Sequence, residues 1–463
     1  MDEEGFSEWY HRMLDENQVV DIRFPVKGMP VYRGAGVKII KYMRDYLENL
    51  LEEDGHEPTY FPVVIPEDLL AAEAEHIAGF EDEVYWVTHS GITPLERRMA
   101  LRPTSETCMY PMFALWTRTH TDLPIKIHQS VCVYRYETKH TRPLIRSREI
   151  MWNEGHTAFA TREEALENIE TIKKIYTKLM TELLCLPIEI NQRPDWDKFP
   201  GAEYTIAFET LMPDGKTLQI GTIHNLGQHF SKVFNIQYED ANGEKKLAWQ
   251  TSYGPGFGRL LAATISVHGD EKGMRLPPAV APTQAVIVPI VFKETDRENV
   301  MSFIGKVEEI LKSQRIRYTI DAGDERPGAK YYKWEQRGVP LRIEVGPKDV
   351  EKKHVMLVRR DTGEKTTATL ENLDVGKMLS DIQKNMREQA KKKFEERTYT
   401  AKDEKNLDKH LGEGIVATGW CMEDQCAKPI ESKGTILSIN RDKKAKCVIC
   451  GAEGVEIKVA KTY

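Results

Sequence analysis

The stretch Val131-Cys132-Val133-Tyr134-Arg135-Tyr136-Glu137 decides how this chain is read, together with Arg146-Ser147-Arg148-Glu149 beyond a Lys/Thr/Arg-rich segment. Val131 and Val133 read as part of a strand, which would put Arg135 and Glu137 on one face because strand side chains alternate. Charges on an internal strand are rarely buried unless paired. A structural Arg–Glu salt bridge would satisfy that. So would a ligand, because a planar guanidinium clamps a phosphate or carboxylate at two points.

Further along, Gly254-Pro255-Gly256-Phe257-Gly258-Arg259 leads into an apolar helix over Leu260–Val267. Glycines let backbone approach a ligand closely, and a helix N-terminus favours anions. The spacing is not GxGxxG, and the chain has no GxxxxGK[ST], so Rossmann and P-loop readings both fail. Upstream, Arg102-Pro103-Thr104-Ser105-Glu106-Thr107 reads by itself as a helix start, with Thr104 capping and a carboxylate in the first turn. Lys198 to Tyr204 and Gln219 to Gln228 form a fourth cluster. A lone histidine such as His224 is more often structural than catalytic.

Taken together, these segments are not independent. Gly55 through Phe61-Pro62-Val63-Val64 after an amphipathic helix, then the Arg135 strand, then the Gly254–Arg259 turn, resemble the three ordered motifs of class II aminoacyl-tRNA synthetases. Thr104-Ser105-Glu106, Trp152-x-Glu154-Gly155-His156, Gln219-x-x-Thr222-x-His224, Val267-His268-Gly269-Asp270 and Trp334-Glu335-x-x-Gly338-Val339-Pro340 carry the resemblance further, to prolyl-tRNA synthetases of the archaeal and eukaryotic type. It covers nearly the whole chain.

The resemblance implies an α/β multidomain protein. Residues 1–282 would be a class II catalytic domain, an antiparallel sheet flanked by helices, with Pro62 in a motif that builds a homodimer interface. Residues 283–373 would be an α/β anticodon-binding domain, 374–409 a connecting helix and 410–463 a small α+β zinc-binding domain. Arg135 would bridge the ATP α-phosphate and the substrate carboxylate, and Arg259 would hold the γ-phosphate. Arg146, Ser147, Gln219 and Thr222 would line the nucleotide, which binds with Mg²⁺. Thr104 and Glu106 would accept from the secondary ammonium of L-proline, which carries two N–H donors. Trp152, Glu154, His156, Phe199 and His224 would shape the pocket for a ring with no polar handle. Threonyl enzymes carry a zinc-binding Cys where this chain has Thr104, which counts against threonyl or glycyl specificity. A non-catalytic tRNA-binding relative would usually have lost the two arginines. One departure is Ile150, where the family often has an aromatic residue to stack on adenine. Glu335, Pro340 and Lys348 fall at or near anticodon-reading positions for tRNA(Pro). The terminal Tyr463 is expected to turn its carboxylate back towards the active site.

Between Glu154 and Gln219 lie 64 residues, too few for the editing insertion of some bacterial relatives. Exclusion by size rejects smaller substrates weakly, so misactivation of alanine or cysteine is expected.

The rest of the chain is consistent with this. Its 463 residues suit roughly three domains. No apolar run reaches the roughly 18 residues of a membrane span. The acidic start MDEEGFSEWY has no signal-peptide core, so a soluble cytoplasmic protein is expected. A net charge of −7 argues against bulk nucleic-acid binding but not against a local basic face. Arg275 to Pro282 is Pro-rich and reads as a linker. Beyond it, apolar runs of strand length alternate with helical stripes, which implies an α/β sheet with parallel pairs. Leu379, Ile382, Met386, Ala390 and Phe394 form the apolar stripe of a long helix. Cys108, Cys132 and Cys185 read as core residues. Cys421-x4-Cys426-x20-Cys447-x2-Cys450 favours a structural Zn²⁺ site over an unmetallated reduced cluster.

Overall fold

Ile39, Ile40, Met43, Leu47 and Leu51 recur at helical spacing and are buried along one side of a helix, Gly34–Glu53. The computed structural model describes residues 3–72, 81–138, 140–291 and 294–463. Label the helices α1 (Glu3–Glu16), α2 (Gly34–Glu53), α3 (Glu106–Trp116), α4 (Arg162–Thr177) and α5 (Phe257–His268). Helix α5 is apolar nearly all round, and Leu260, Leu261, Ala262, Ala263 and Ile265 are all buried. It lies in one core with α1, α2 and α4.

That core covers a seven-stranded sheet. Its strands are β1 (Glu57–Pro58), β2 (Ile125–Tyr134), β3 (Glu149–Phe159), β4 (Glu189–Gln192), β5 (Tyr204–Leu211), β6 (Thr217–Gly227) and β7 (Trp249–Pro255), in the order β1-β2-β3-β7-β6-β5-β4. Only the β1–β2 pair is parallel. Residues 155–218 supply α4 and strands β4 and β5 of this same sheet.

A second sheet holds β8 (Ala285–Pro289), β9 (Tyr318–Ile320), β10 (Leu341–Val345), β11 (His354–Arg359) and β12 (Lys365–Thr369), in the order β9-β8-β10-β11-β12. Strand β8 pairs parallel with β9 and β10, as alternation with helices requires, while β11 and β12 add on antiparallel. Helices α6 (Glu294–Ser313), α7 (Pro327–Gln336) and α8 (Val375–Glu395) accompany it. Leu379, Ile382, Met386 and Ala390 are the buried stripe of α8. The last sheet has β13 (Thr398–Thr400), β14 (Ile415–Trp420), β15 (Thr435–Lys446) and β16 (Glu453–Ala460), with α9 (Asp424–Glu431) beside it.

The Pro-rich stretch is irregular but is no loose tether. Leu276, Val280 and Ala281 are buried in the first core. Arg275 donates to the Asp361 carbonyl at 3.0 Å and to Gln389 at 2.7 Å. Nearby, the Arg360 guanidinium grips both Asp270 carboxylate oxygens at 2.6 and 2.7 Å and donates to the Glu335 carbonyl. The backbones there touch so closely that a Cβ on Gly273 would sit 2.6 Å from Gln336 Cα. Of the scattered cysteines, Cys185 is fully buried, whereas Cys108 and Cys132 are only partly so.

Candidate active site

Strand β3 sets the side-chain array. Trp152, Glu154 and His156 lie two apart, so they share a face. They open into a cavity of about 380 Å³, walled also by Thr104, Glu106, Arg135, Arg146, Ser147, Phe199, Gln219, Thr222, His224 and Arg259. Residues drawn from five separate stretches of sequence thus meet at one place. Ile150 also lines it.

Strand β6 contributes through a defect. Its ladder with β5 slips between Phe208 and Glu209, leaving Ile220 as an extra residue. The bulge reverses the alternation, so Gln219 joins Thr222 and His224. These three are the half-buried positions in a strand otherwise buried.

One end of the cavity is a buried polar network. Glu154 accepts from Ser105 Oγ at 2.5 Å and Gln129 Nε2 at 2.8 Å, and its other oxygen lies 3.1 Å from His156 Nε2. Burial alone would raise the Glu154 pKa, but these partners outweigh it and hold the carboxyl below its usual range. Burial likewise opposes charge on His156, yet Glu154 and Glu106 raise its pKa. Both shifts favour the carboxylate–imidazolium form of the pair. The helix start differs from expectation. Ser105, not Thr104, is the N-cap of α3, and it makes no side-chain cap bond. Its hydroxyl goes to Glu154, while Thr104 donates to the Glu106 carboxylate. Phe199 stacks on His224 with centroids 4.4 Å apart, and Thr205 Oγ1 bonds both the Phe199 N–H and His224 Nδ1 at 2.9 Å.

The other end is cationic. Arg259 Nε donates to the Ile145 carbonyl at 3.0 Å and Nη1 to the Gln219 carbonyl at 3.1 Å, which fixes the guanidinium plane. Burial, with Arg146 and Arg135 nearby, pulls its pKa down to about 10. Arg135 lies just past the end of β2, not inside it, so alternation does not govern Arg135 and Glu137. Both nonetheless face the cavity, and Glu137 pairs with Arg146 at 3.6 Å. Arg135 Nε donates to the Pro103 carbonyl at 3.0 Å, and its guanidinium lies 5.6 Å from the Trp152 ring centre. Burial lowers its pKa, and Glu83, Glu106, Glu154 and Glu137 oppose that fall. Arg135 thus stands within the fields of both ends. Ser147 Oγ and Trp152 Nε1 are buried without a hydrogen-bond partner among the described residues. Unsatisfied buried groups on a cavity wall are what a ligand would satisfy.

Sequence reading passed over Arg193, Asp197 and Glu209. Arg193 joins both carboxylates, lies 3.3 Å from Glu209, and lines the cavity with Asp197. Burial raises the Glu209 pKa, against Arg193 and Asn191. The signal was available: Arg193 and Asp197 stand four apart immediately before Lys198-Phe199.

Three sets of predicted residues lie outside the cavity. Glu335 is half-buried between Arg342 at 3.0 Å and Lys272 at 3.9 Å. Lys348 is exposed, whereas Pro340 is buried and its carbonyl accepts from the Arg360 N–H. In the C-terminal module the sulfurs of Cys421, Cys426, Cys447 and Cys450 all lie within 4.8 Å of one another. Cys421 and Cys450 are 3.7 Å apart. A tetrahedral Zn²⁺ with Zn–S of about 2.3 Å needs sulfurs about 3.8 Å apart, so the four thiols fit it. Tyr463 pairs with Thr217, two residues from Gln219, and its hydroxyl donates to Asp214 at 2.6 Å. It does not line the cavity.

Residues 85–268 match the family described as "tRNA synthetase class II core domain (G, H, P, S and T)", and residues 284–380 match "Anticodon binding domain". The chain is 50% identical to the proline–tRNA ligase of Methanoregula boonei, across 99% of this chain and 98% of that one. It is 48% identical to the proline–tRNA ligase of Methanothermobacter thermautotrophicus, across 97% and 94%. Among solved structures, it matches Giardia lamblia prolyl-tRNA synthetase in complex with prolyl-adenylate. The TM-score is 0.95 at 33% identity, covering 99% and 98% of the two chains. It matches the Cryptosporidium parvum enzyme complexed with halofuginone and AMPPNP equally well, at 35% identity over 100% and 99%.

Proposed function

The chain belongs to the proline–tRNA ligase family of class II aminoacyl-tRNA synthetases, and from that premise we propose that its cavity activates L-proline with ATP and passes it to the 3′ end of tRNA(Pro). One observation carries the assignment of roles. A single cavity has a cationic end around Arg259 and Arg146 and a buried Glu154–His156 end, with Arg135 between them. The proline carboxylate attacks the ATP α-phosphorus, a new O–P bond forms, and pyrophosphate leaves. Arg135 neutralises the crowded carboxylate and α-phosphate, and Arg259 holds the γ-phosphate. Arg146, Ser147, Gln219 and Thr222 line the nucleotide. Thr104 and Glu106 accept from the proline ammonium. Trp152, Phe199 and His224 shape the ring pocket on the platform fixed by Glu154 and His156. A ribose hydroxyl of the tRNA then attacks the prolyl carbonyl and AMP leaves.

Mg²⁺ arrives with ATP, and when bound it shields the phosphate charge. Glu137 and Glu149, on the wall near Arg146, offer the oxygen donors it prefers. The four C-terminal thiols would hold Zn²⁺ structurally, since no ligand position is left open. We read residues 1–282 as catalytic and 283–373 as anticodon-binding; the connecting helix expected over 374–409 ends at Glu395, and the zinc-binding unit expected from 410 already includes Thr398–Thr400, paired with β14, and Leu407 of its core. Glu335 and Lys348 would read anticodon edges, with Pro340 acting from beneath. The chain would act as a homodimer in the cytoplasm. Tyr60 is 80% exposed beside Phe61, whose ring contacts the exposed Trp116, an apolar face that suits a second copy. Among the described residues no helix is long and apolar enough to cross a membrane. Sedimentation equilibrium showing a monomer would refute the dimer.

The decisive experiment is ATP–pyrophosphate exchange with twenty amino acids. Proline should be the best substrate, and any other leader would overturn the specificity. Alanine and cysteine should give weaker exchange above background. No exchange with either would remove the proposal of uncorrected misactivation.

A further inference from the structure

The loop that brings Lys198 and Phe199 to the cavity has a second attachment. Its short 3₁₀ turn, Asp195–Asp197, carries Trp196 outward while Asp197 faces the cavity. The Trp196 ring meets Trp420 edge-on, with centroids 5.7 Å apart and planes at 87°. Its indole N–H donates to Glu431 at 2.8 Å. Trp420 is buried, and it immediately precedes the cluster residue Cys421. Glu431 ends α9, the helix that holds Cys426. Trp196 therefore touches the segments that deliver Cys421 and Cys426, while its neighbours in sequence build the cavity wall.

The connection continues inward. Asp197 pairs with Arg193, which reaches buried Glu209 at 3.3 Å. Phe199 is held by its N–H to Thr205 and stacks on His224. A short loop tied at both ends keeps its middle in place. Released at Trp196, which is itself half exposed, it retains only the inner ties.

We propose that Trp196 is a positioning residue through which the four-cysteine module holds the amino-acid end of the cavity in shape. This rests on reading that end as the proline site. The cysteine module then sets proline affinity as well as its own fold. The nucleotide end, built on β6, α5 and the segment after β2, lies away from Trp196; the module's own tie to β6 runs through the backbones of Lys461 and Tyr463 to Thr217, at the start of that strand.

Calorimetric titration tests this with Zn²⁺-loaded full-length protein. It uses proline and ATP separately, on wild type, Trp196→Ala and Trp196→Phe. Trp196→Ala should raise the Kd for proline about tenfold or more, in line with the cost of small misplacements at a site. The Kd for ATP should stay put, and Trp196→Phe should recover most of the proline affinity. Chelating the metal from wild type should weaken proline binding to the same degree. It should also remove the near-ultraviolet circular dichroism of the Trp196–Trp420 pair. In Trp196→Ala, chelation should add nothing. Unchanged proline affinity in Trp196→Ala would overturn the proposal, as would equal losses for proline and ATP. A wild type that binds ATP but not proline would instead refute the reading of the cavity.

Discussion

At Arg259, two donors are spent on backbone carbonyls, so the guanidinium is aimed before any ligand arrives. Replacing it with Ala should cut proline-dependent exchange by about 10²–10³, the usual loss for one preorganised donor. Filter binding of tRNA should be unaffected, and an exchange rate near wild type would refute the role. The Glu154–His156 pair makes a pH prediction. Glu154 is held below its ordinary 4.5, so its contribution to stability is present above 4.5 and is lost as pH falls through its folded pKa. His156 is raised above its ordinary 6.5, so its contribution is full below 6.5 and fades as pH rises through its folded pKa. Both act fully between those two values. Glu154→Gln removes the charge that His156 needs and should cost about 3–5 kcal/mol, as breaking a buried pair does. Urea melts near pH 5.5 would measure it, and a loss below about 1 kcal/mol would contradict the pairing. Trp152, Glu154 and His156 were picked out by resemblance, and the two-residue repeat of β3 accounts for their shared face. Gln219, Thr222 and His224 were legible only by resemblance, because the bulge at Ile220 breaks that repeat.

Among elements, β3 and β7 meet where Gly155 faces Tyr253. A Cβ there would lie 2.0 Å from the Tyr253 ring. Gly155→Ala should therefore destabilise by about 1–3 kcal/mol, the range for overpacking. An unchanged urea midpoint would show that the ring moves freely. The C-terminal module makes a different prediction. Its small core, around Leu407, Trp420 and Ile457, closes over the four cysteines. Metal removal should loosen it, because metal binding is coupled to folding in small modules. Limited proteolysis after chelation should cut beyond Glu396 while the larger core stays intact. The helical stripes of α2 and α8 were readable because burial on one side imposes a period of 3.6. The ends of β2 were not, since nothing in Tyr134-Arg135-Tyr136 marks where pairing stops.

Across the whole molecule, the catalytic and second-sheet units meet at a polar lock of Asp270, Arg360, Arg275 and Asp361. Arg360→Ala leaves the partly exposed Asp270 without its bidentate partner and should cost about 1–3 kcal/mol at this junction. Calorimetry should then resolve two unfolding transitions, and one unsplit transition would contradict the lock. The Pro-rich composition of residues 275–282 correctly excluded regular structure, since proline fixes φ and removes a donor. It could not reveal that the segment is buried, because burial depends on what packs against it. The same division holds throughout. The amino-acid sequence by itself determined the order of motifs, the residue types for holding anions and an ammonium, and the cysteine spacing. These are local or additive properties of the chain. Only the tertiary structure decided that Thr104, Arg135, His224 and Arg259 share one cavity and that Ser105 serves Glu154 in place of its helix. It alone brought Arg193 and Trp196 to the site from outside the motifs. Such juxtapositions depend on strand register, a bulge and domain docking, which arise from long-range packing that no window of sequence contains.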